Sequence, residues 1–194
     1  MDLRTIKTEE LIENTFYELL KAEDFAAISI KQITEKARIN RSTFYRHFED
    51  KFALRDFIID NIVKDFEENM DVEFMLFSDL ESKDYIKHFK ESLEHLKENK
   101  EKYEILWSSL LLGRNVFEEM ISAGVEKMQK SILSNKKIKK QRKERAQWYA
   151  YLLVNNLLVS VRWWFNNDQK ITSEELTKLI VEHMEKGTIP TLMN

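Results

Sequence analysis

Six side chains able to bind nucleic acid lie close together in the segment RSTFYRH, residues 41–47. Arginine can donate two hydrogen bonds to the edge of a guanine, whereas hydroxyl groups mainly hold phosphate oxygens. Asn40 is a good N-cap for a short helix over this segment. Another short helix, from Ser29 to about Arg38, precedes it, and only two or three residues link the two. The spacing predicts a helix-turn-helix that reads double-stranded DNA.

The apolar residues of these two helices have the positions that such a corner requires. Ile30, Ile33 and Ala37 fall on one face of the helix that starts at Ser29, and Ser29 with Gln32 has the pattern of a capping box. Ile39, Phe44 and Phe48 are expected to fill the angle between the helices. The outer face of the helix over residues 41–47 therefore stays polar and basic.

The charge of the chain is uneven. The net charge of -3 argues against a nucleic-acid partner, because phosphate binding needs clustered cations. Residues 30–55, however, contain seven Lys or Arg and three acidic residues, which gives a local charge of +4. The sequence predicts that DNA binds at this segment.

Composition favours an all-α protein with no cofactor. The 194 residues include one Pro and three Gly, with 43% hydrophobic and 34% charged residues, which is typical of long helices with short connections. The absence of cysteine excludes disulfides, thiolate catalysis and sulfur-based zinc sites. The N-terminus MDLRTIKTEE lacks an apolar run, so we expect a cytoplasmic protein.

Helical periodicity continues along the chain, with an irregular connection expected at DVEFMLFSDLES. Thr8 is predicted to cap the first helix and Asp50 the fourth, which runs to about Met70. The later helices are predicted at residues 84–97, 103–112, 116–133 and 148–165, and after Thr172 up to Gly187.

Residues 148–165 are apolar on nearly every side, which favours burial in a membrane, a core or a subunit interface. An arginine at the centre of a helix, such as Arg162, raises the free energy of membrane insertion by about 2.5 to 3.5 kcal/mol. We therefore expect no membrane span. With the last helix, this segment predicts a homodimer that buries helices 146–166 and 173–186 as a four-helix bundle. The basic run at residues 136–145 is either a second DNA contact or, as we favour, a solvated connection.

From Thr8 to Leu54 the chain resembles the DNA-binding head of the TetR family of transcription regulators. The residues that carry the resemblance lie within SIKQITEKARINRSTFYRHFEDKFAL and the aromatic residue before it: Phe25, Ser29, Ile30, Ile33, Ala37, Ile39, Thr43, Phe44, Tyr45, His47, Phe48 and Lys51. Arg38 and Asp24 stand where the family usually has glycine. Arg38 must therefore accept a left-handed backbone or shift the turn.

The resemblance implies a helix-turn-helix domain over residues 1–50 and a helical regulatory and dimerisation domain over 51–194, with 51–70 as connecting helix. It implies three helices in the head and about six in the body. Arg41, Ser42 and Arg46 would face the groove, and Thr43, Tyr45 and Lys51 would meet phosphates. The complete set of predicted DNA contacts is Ser29, Arg38, Asn40, Arg41, Ser42, Thr43, Tyr45, Arg46, His47 and Lys51.

The resemblance also implies a pocket for a small-molecule effector in the body, whose C-terminal part is similar to regulators of dihydroxyacetone kinase operons. The residues expected to line it are Tyr103, Trp107, Phe117, Trp148, Tyr151 and Asn155. The function predicted is a ligand-responsive repressor that binds a palindromic operator as a homodimer.

Two other functions compete with this prediction. One is a coactivator or interaction protein that has lost DNA binding. The other is an all-helical enzyme, but the four histidines show no HExxH spacing, and no catalytic or metal site is predicted. His88 and His95 are expected to be surface residues.

Overall fold

Helices make up all the regular structure in the described part of the computed structural model, which comprises residues 3–77, 82–108, 111, 113–167 and 170–187. This confirms the predicted all-α fold. The eleven helices of these residues are α1 (Leu3–Leu20), α2 (Ile30–Ala37), α3 (Arg41–His47), α4 (Lys51–Asn69), α5 (Val72–Phe77), α6 (Lys83–Glu98), α7 (Lys100–Ser108), α8 (Val116–Ser134), α9 (Lys140–Lys143), α10 (Ala146–Asn166) and α11 (Ser173–Lys186).

Side-chain caps begin several of these helices where the sequence predicts them. The Ser29 hydroxyl accepts a hydrogen bond from the Gln32 N–H, and the Gln32 side chain accepts one from the Ser29 N–H, which completes a capping box. Asp50 Oδ1 accepts from two N–H groups at the start of α4, both at 2.8 Å. Thr172 and Glu175 form a second capping box at α11.

Other predicted element boundaries are wrong. The first helix begins at Leu3, so Thr8 lies inside it and its hydroxyl donates to the Arg4 carbonyl at 2.8 Å. Nothing in the preceding residues breaks a helix, and the cap pattern at Thr8 was therefore misleading. The connection after α4 was expected to be irregular, yet Val72–Phe77 forms the short helix α5. The predicted helix 103–112 begins earlier, at Lys100, and residues 109, 110 and 112 lie outside the described part.

Two compact units divide the chain. The head unit comprises residues 1–64 and 101–117, and the body unit comprises 65–100 and 118–194. The boundaries fall inside α4, α7 and α8, so segment 101–117 belongs with the head rather than with the body. The predicted division at residue 50 is a different partition of the chain and stays a prediction.

The core of the head unit packs α1 against α2, and α2 against α3. Phe16 and Phe25 are fully buried with their rings 5.9 Å apart in an edge-to-face arrangement. In the same unit, α7 binds α1 through ion pairs from Lys102 to Glu13 at 3.4 Å and from Lys21 to Glu101 at 2.6 Å. Polar contacts of this kind fix the register of two helices more than they add stability.

The core of the body unit is formed mainly by α6, α10 and α11. Trp164 is fully buried, and its indole N–H donates to the Ile171 carbonyl at 2.8 Å. A Cβ on Gly124 would lie 3.0 Å from Val154 Cγ1, so this glycine allows α8 and α10 to approach closely. Across the described residues, no helix combines the length and the apolar character that crossing a membrane requires.

Candidate nucleic-acid interface

The turn between α2 and α3 depends on Arg38. This residue has φ 54° and ψ 42°, and its N–H closes the end of α2 by donating to the Glu35 carbonyl at 3.2 Å. The Ile39 N–H reaches back to the Thr34 carbonyl at 3.0 Å. Arg38 therefore accepts the left-handed backbone that glycine adopts more easily, and the turn is not shifted.

The apolar side of α3 anchors it in the head. Phe44 is fully buried, and its ring lies 5.8 Å from that of Phe48. The Phe48 ring in turn lies 5.3 Å from Phe57 of α4. These contacts confirm the expectation that Phe44 and Phe48 belong to the core, and they fix which face of α3 is directed outward.

The outward face of α3 carries side chains that can donate hydrogen bonds. Arg41, Ser42, Tyr45 and Arg46 are exposed, with 48% of Tyr45 accessible. Thr43 is half-buried, and its hydroxyl accepts from Arg46 Nη2 at 3.1 Å. This arrangement places two guanidinium groups, two hydroxyls and a phenol on one side of a short helix.

Asn40 has the position of the α3 N-cap but makes no capping hydrogen bond with its side chain. The predicted cap is therefore correct in position and wrong in its bond. The Asn40 amide is exposed, next to Arg41, and belongs to the same polar surface.

An open groove of about 710 Å³ continues this surface between the first turns of α1 and the start of α3. Arg4, Lys7, Arg38 and Arg46 line it together with Asn40, and no carboxylate from the described part of the chain does. Arg4 and Lys7 were not predicted from the sequence. Their i, i+3 spacing puts them on one face of α1, but the sequence analysis began that helix at Thr8 and so treated both as lying outside it.

Lys51 makes contacts that a phosphate-binding lysine would have to give up. Its ammonium group donates to the carbonyls of Phe25 at 2.9 Å, Ala26 at 3.0 Å and Ile28 at 2.6 Å. It also lies 4.8 Å from the centre of the Phe25 ring. All three N–H donors are thus engaged in holding residues 25–28 to the start of α4.

His47 and Ser29 also have partners within the head. His47 Nδ1 lies 3.1 Å from Glu9 Oε1 of α1, and both side chains are largely buried. The Ser29 hydroxyl belongs to the capping box of α2. Their predicted DNA contacts stay predictions, although both side chains have clear structural roles.

The residues predicted to bind an effector fall in both units. Tyr103, Trp107 and Phe117 belong to the head unit, where the Trp107 ring lies 5.3 Å from each of the other two. Trp148 and Tyr151 of the body unit are exposed, and Asn155 donates to the Tyr151 carbonyl at 2.8 Å. Their predicted role in binding an effector stays a prediction.

The body unit also contains a small cavity of about 30 Å³ that the sequence did not reveal. Its surface is almost entirely apolar, although four polar residues also line it. The apolar lining residues are Phe66, Met70, Met75, Phe89, Leu93, Leu96 and Leu157, and the polar ones are Asn69, Asp71, His88 and Ser92. None of the predicted effector residues lines it.

The histidines considered for a metal site are each paired with one carboxylate. His88 Nε2 lies 3.4 Å from Asp71, and His95 Nε2 lies 2.9 Å from Asp65. Among the described residues, no group of three or more His, Asp or Glu side chains is arranged to hold a metal ion.

Two family models match the chain. The model of bacterial regulatory proteins of the tetR family matches residues 17–56, and a model of the C-terminal region of transcriptional regulators matches residues 83–186. The first match contains the helix-turn-helix, and the second contains most of the body unit.

Curated relatives match over less than a third of this chain. The chain is 38% identical over 55 residues to the uncharacterised regulator YxbF of Bacillus subtilis, covering 28% of this chain and 14% of that protein. It is 31% identical over 58 residues to the dhaKLM operon transcriptional activator DhaS of Lactococcus lactis, covering 30% of this chain and 31% of that one. The aligned segments span less than a third of either relative.

Solved structures are similar over nearly the whole chain. A TetR transcriptional regulator from Streptococcus agalactiae aligns with a TM-score of 0.58 at 18% identity, covering 92% of this chain and 93% of the other. The dihydroxyacetone kinase operon activator DhaS aligns with a TM-score of 0.54 at 20% identity, covering 93% and 95%. The helix-turn-helix head, the helical body and the matches of both family models together place this chain in the TetR family of transcription regulators.

Proposed function

We propose that this protein is a ligand-responsive repressor that binds a roughly palindromic operator as a homodimer. The observation that carries the proposal is the outward face of α3, where hydrogen-bonding and cationic side chains continue into a groove that no described carboxylate lines. Such a surface has the charge and the donors that a DNA groove with flanking phosphates requires.

Side chains on this surface would divide the work of recognition. Arg41 and Arg46 are suited to base edges in the major groove, because a guanidinium can pair with both acceptors of guanine. Ser42, Thr43 and Tyr45 would bind phosphate oxygens and set the position of α3. Arg4 and Lys7, at the other wall of the groove, would neutralise further phosphates.

The dimer would form through α10 and α11. These helices expose large apolar side chains in the body unit: Trp148, Tyr151, Leu152, Val159, Trp163 and Leu179. Exposed apolar surface of this extent favours an interface with a second copy, and two pairs of helices would bury it as a four-helix bundle. The two copies of α3 would then enter successive major grooves about 34 Å apart.

The cavity of the body unit is the better candidate for an effector site than the residues predicted from the sequence. Its apolar wall suits a small apolar group, and Met70 and Met75 have flexible side chains that can adapt to an occupant. An effector acts only by favouring one separation of the two heads over another. A thermal-shift screen of small apolar compounds tests the site, and Leu93→Trp should abolish the rise in melting temperature by filling it.

Binding of the purified protein to its own upstream DNA tests the DNA-binding role. Arg41→Ala is expected to weaken operator binding by about 1 to 3 kcal/mol, with a smaller loss on random DNA, if Arg41 reads a base. An equal loss on both duplexes would make Arg41 a phosphate contact. Unchanged affinity for either duplex would remove it from the interface.

A transcriptional activator is the alternative mode of action, because the relative DhaS acts as an activator of its operon. The same operator complex would serve either mode. A reporter fused to the upstream region distinguishes them: deletion of the gene raises expression if the protein represses and lowers it if the protein activates.

A further inference from the structure

The basic segment, residues 136–145, carries a large excess of positive charge. It contains seven cations and one acidic residue, Glu144, which gives a local charge of +6 in a chain whose net charge is -3. Six of the seven cations are exposed, and the seventh, Lys143, is half-buried. The cations are Lys136, Lys137, Lys139, Lys140, Arg142, Lys143 and Arg145.

Several surface lysines elsewhere in the body unit pair with a glutamate of the helix that carries them. Lys87 pairs with Glu91, Lys130 with Glu126, and Lys178 with Glu174, each at i, i+4 spacing. Within the described residues, no cation of the basic segment makes an ion pair with a carboxylate. The helix that follows, α10, also has no acidic residue in its first turn.

Arg142 and Lys143 bond to neighbouring helices, whereas the side chains of the other five cations make no hydrogen bond or ion pair with the described residues. Arg142 donates to the Tyr149 hydroxyl at 2.7 Å, and Lys143 donates to the Leu133 carbonyl at 2.6 Å. These two bonds fasten the segment to α8 and α10. Four exposed lysines, Lys136, Lys137, Lys139 and Lys140, precede these two anchoring residues in the chain and make no hydrogen bond through their ammonium groups to the described residues.

We propose that the basic segment is a second, sequence-independent binding surface for the phosphate backbone of duplex DNA, separate from the helix-turn-helix. A set of like charges without counter-charges is costly to hold together, and a polyanion relieves that repulsion and releases its own condensed counterions. The choice of ligand rests on the proposed function, since a protein that binds an operator spends its time on duplex DNA.

Other polyanionic partners fit the segment less well. Protein interfaces depend on apolar and aromatic anchors at their centre, and anionic membranes favour cations interleaved with insertable apolar side chains. The basic segment holds one apolar residue, Ile138, and it is half-buried. A row of cations with no apolar anchor is complementary to a surface that presents phosphates alone.

The test compares two full-length variants of equal charge by fluorescence anisotropy with a random-sequence duplex over a range of salt. The first changes Lys136, Lys137, Lys139 and Lys140 to Gln. The matched control changes to Gln four lysines that pair with glutamate in their own helix, namely Lys87, Lys130, Lys178 and Lys186. Circular dichroism and light scattering verify that both variants keep the fold and the assembly of the wild type.

We expect the first variant to lower the slope of log K against log salt by about 0.9 for each phosphate that the protein no longer neutralises, and thus by about 3.6 if all four lysines bind. Each such phosphate changes the affinity about eightfold at 0.1 M salt by the same relation. The control variant should leave slope and affinity close to those of the wild type. Equal effects of the two variants would overturn the proposal, because the effect would then be one of net charge.

Two further binding measurements distinguish DNA from other polyanions, and a comparison with operator DNA separates this proposal from the proposed function. Polyglutamate and phosphatidylglycerol vesicles replace the duplex at the same ionic strength. Stronger binding of either than of DNA, abolished by removal of the four lysines, would overturn the assignment to DNA. A wild-type protein that does not prefer its operator would refute the proposed function, while the random-duplex comparison would still decide on the basic segment.

Discussion

Replacing Lys51 with methionine is expected to destabilise the head unit and to leave the salt dependence of DNA binding unchanged. Methionine keeps an unbranched side chain of similar length but removes the ammonium group. The carbonyls of Phe25, Ala26 and Ile28 then lose a shared donor. The segment before α2 would be tied less firmly to the start of α4.

The size of the effect follows from the burial of the three hydrogen bonds. Those to Phe25 and Ile28 are partly buried, whereas the one to Ala26 is exposed and its carbonyl can bind water instead. Hydrogen bonds to charged groups contribute about 1.5 to 3 kcal/mol. Two such bonds at the lower value give a loss of about 3 kcal/mol in the free energy of unfolding.

Urea unfolding of the full-length protein measures this loss, and Lys87→Met serves as the control. Lys87 is 76% exposed and pairs only loosely with Glu91 at 3.9 Å, so its replacement should cost about 0.5 kcal/mol or less. Both variants remove one positive charge, and their operator binding can therefore be compared directly. If Lys51→Met is as stable as the control and its salt slope is lower by about 0.9, Lys51 is a phosphate contact and our reasoning is refuted.

Three more predictions concern single positions. Arg38→Gly should raise the free energy of unfolding by roughly 0.5 to 1 kcal/mol, because the left-handed backbone strains Arg38 and not Gly. Urea titrations measure this change, and a decrease would show that the Arg38 side chain stabilises the fold by more than the strain destabilises it. The N–H of Thr172 holds the pKa of Glu175 below its usual value, so the carboxylate contributes stability above about pH 4.3 that disappears as the pH falls further. Glu175→Ala should consequently be less stable than the wild type in thermal melts at pH 6, by a margin that narrows as the pH falls below about 4.3. A margin that grows toward low pH would contradict this sign. Trp163→Glu places a charge on a half-exposed apolar face of α10 and should therefore give a monomer by light scattering at micromolar concentration. A variant that remains a dimer would show that the interface does not include this face.

Local signals explain why the head could be predicted from sequence in detail. The capping box at Ser29, the cap at Asp50 and the apolar spacing around Phe44 all act within a few residues, and the structure confirms each of them. At Arg38 the local signals were not sufficient to predict the backbone conformation. The sequence identified the strained position, but only the folded backbone shows that the residue accepts it.

The remaining features depend on contacts between distant residues, which periodicity does not contain. The phosphate contact that the resemblance implies for Lys51 stays a prediction. The three carbonyl partners of its ammonium group lie 23 to 26 residues earlier in the chain, where no local pattern points to them. Arg4 joins the groove of α3 only because α1 begins at Leu3. The cavity of the body unit was missed because side chains from positions as far apart as Phe66 and Leu157 line it together.

Specific binding to the operator is the property on which the proposed function depends most. The direct measurement is the affinity of the purified protein for its upstream region and for a random duplex of equal length, at several salt concentrations. We predict an affinity for the upstream region about 10³-fold or more above that for random DNA, a steep salt dependence on both, and disappearance of the difference in the Arg41→Ala, Arg46→Ala double variant. Equal affinity for the two duplexes that does not vary with salt would contradict the assignment of α3 as the DNA-reading helix.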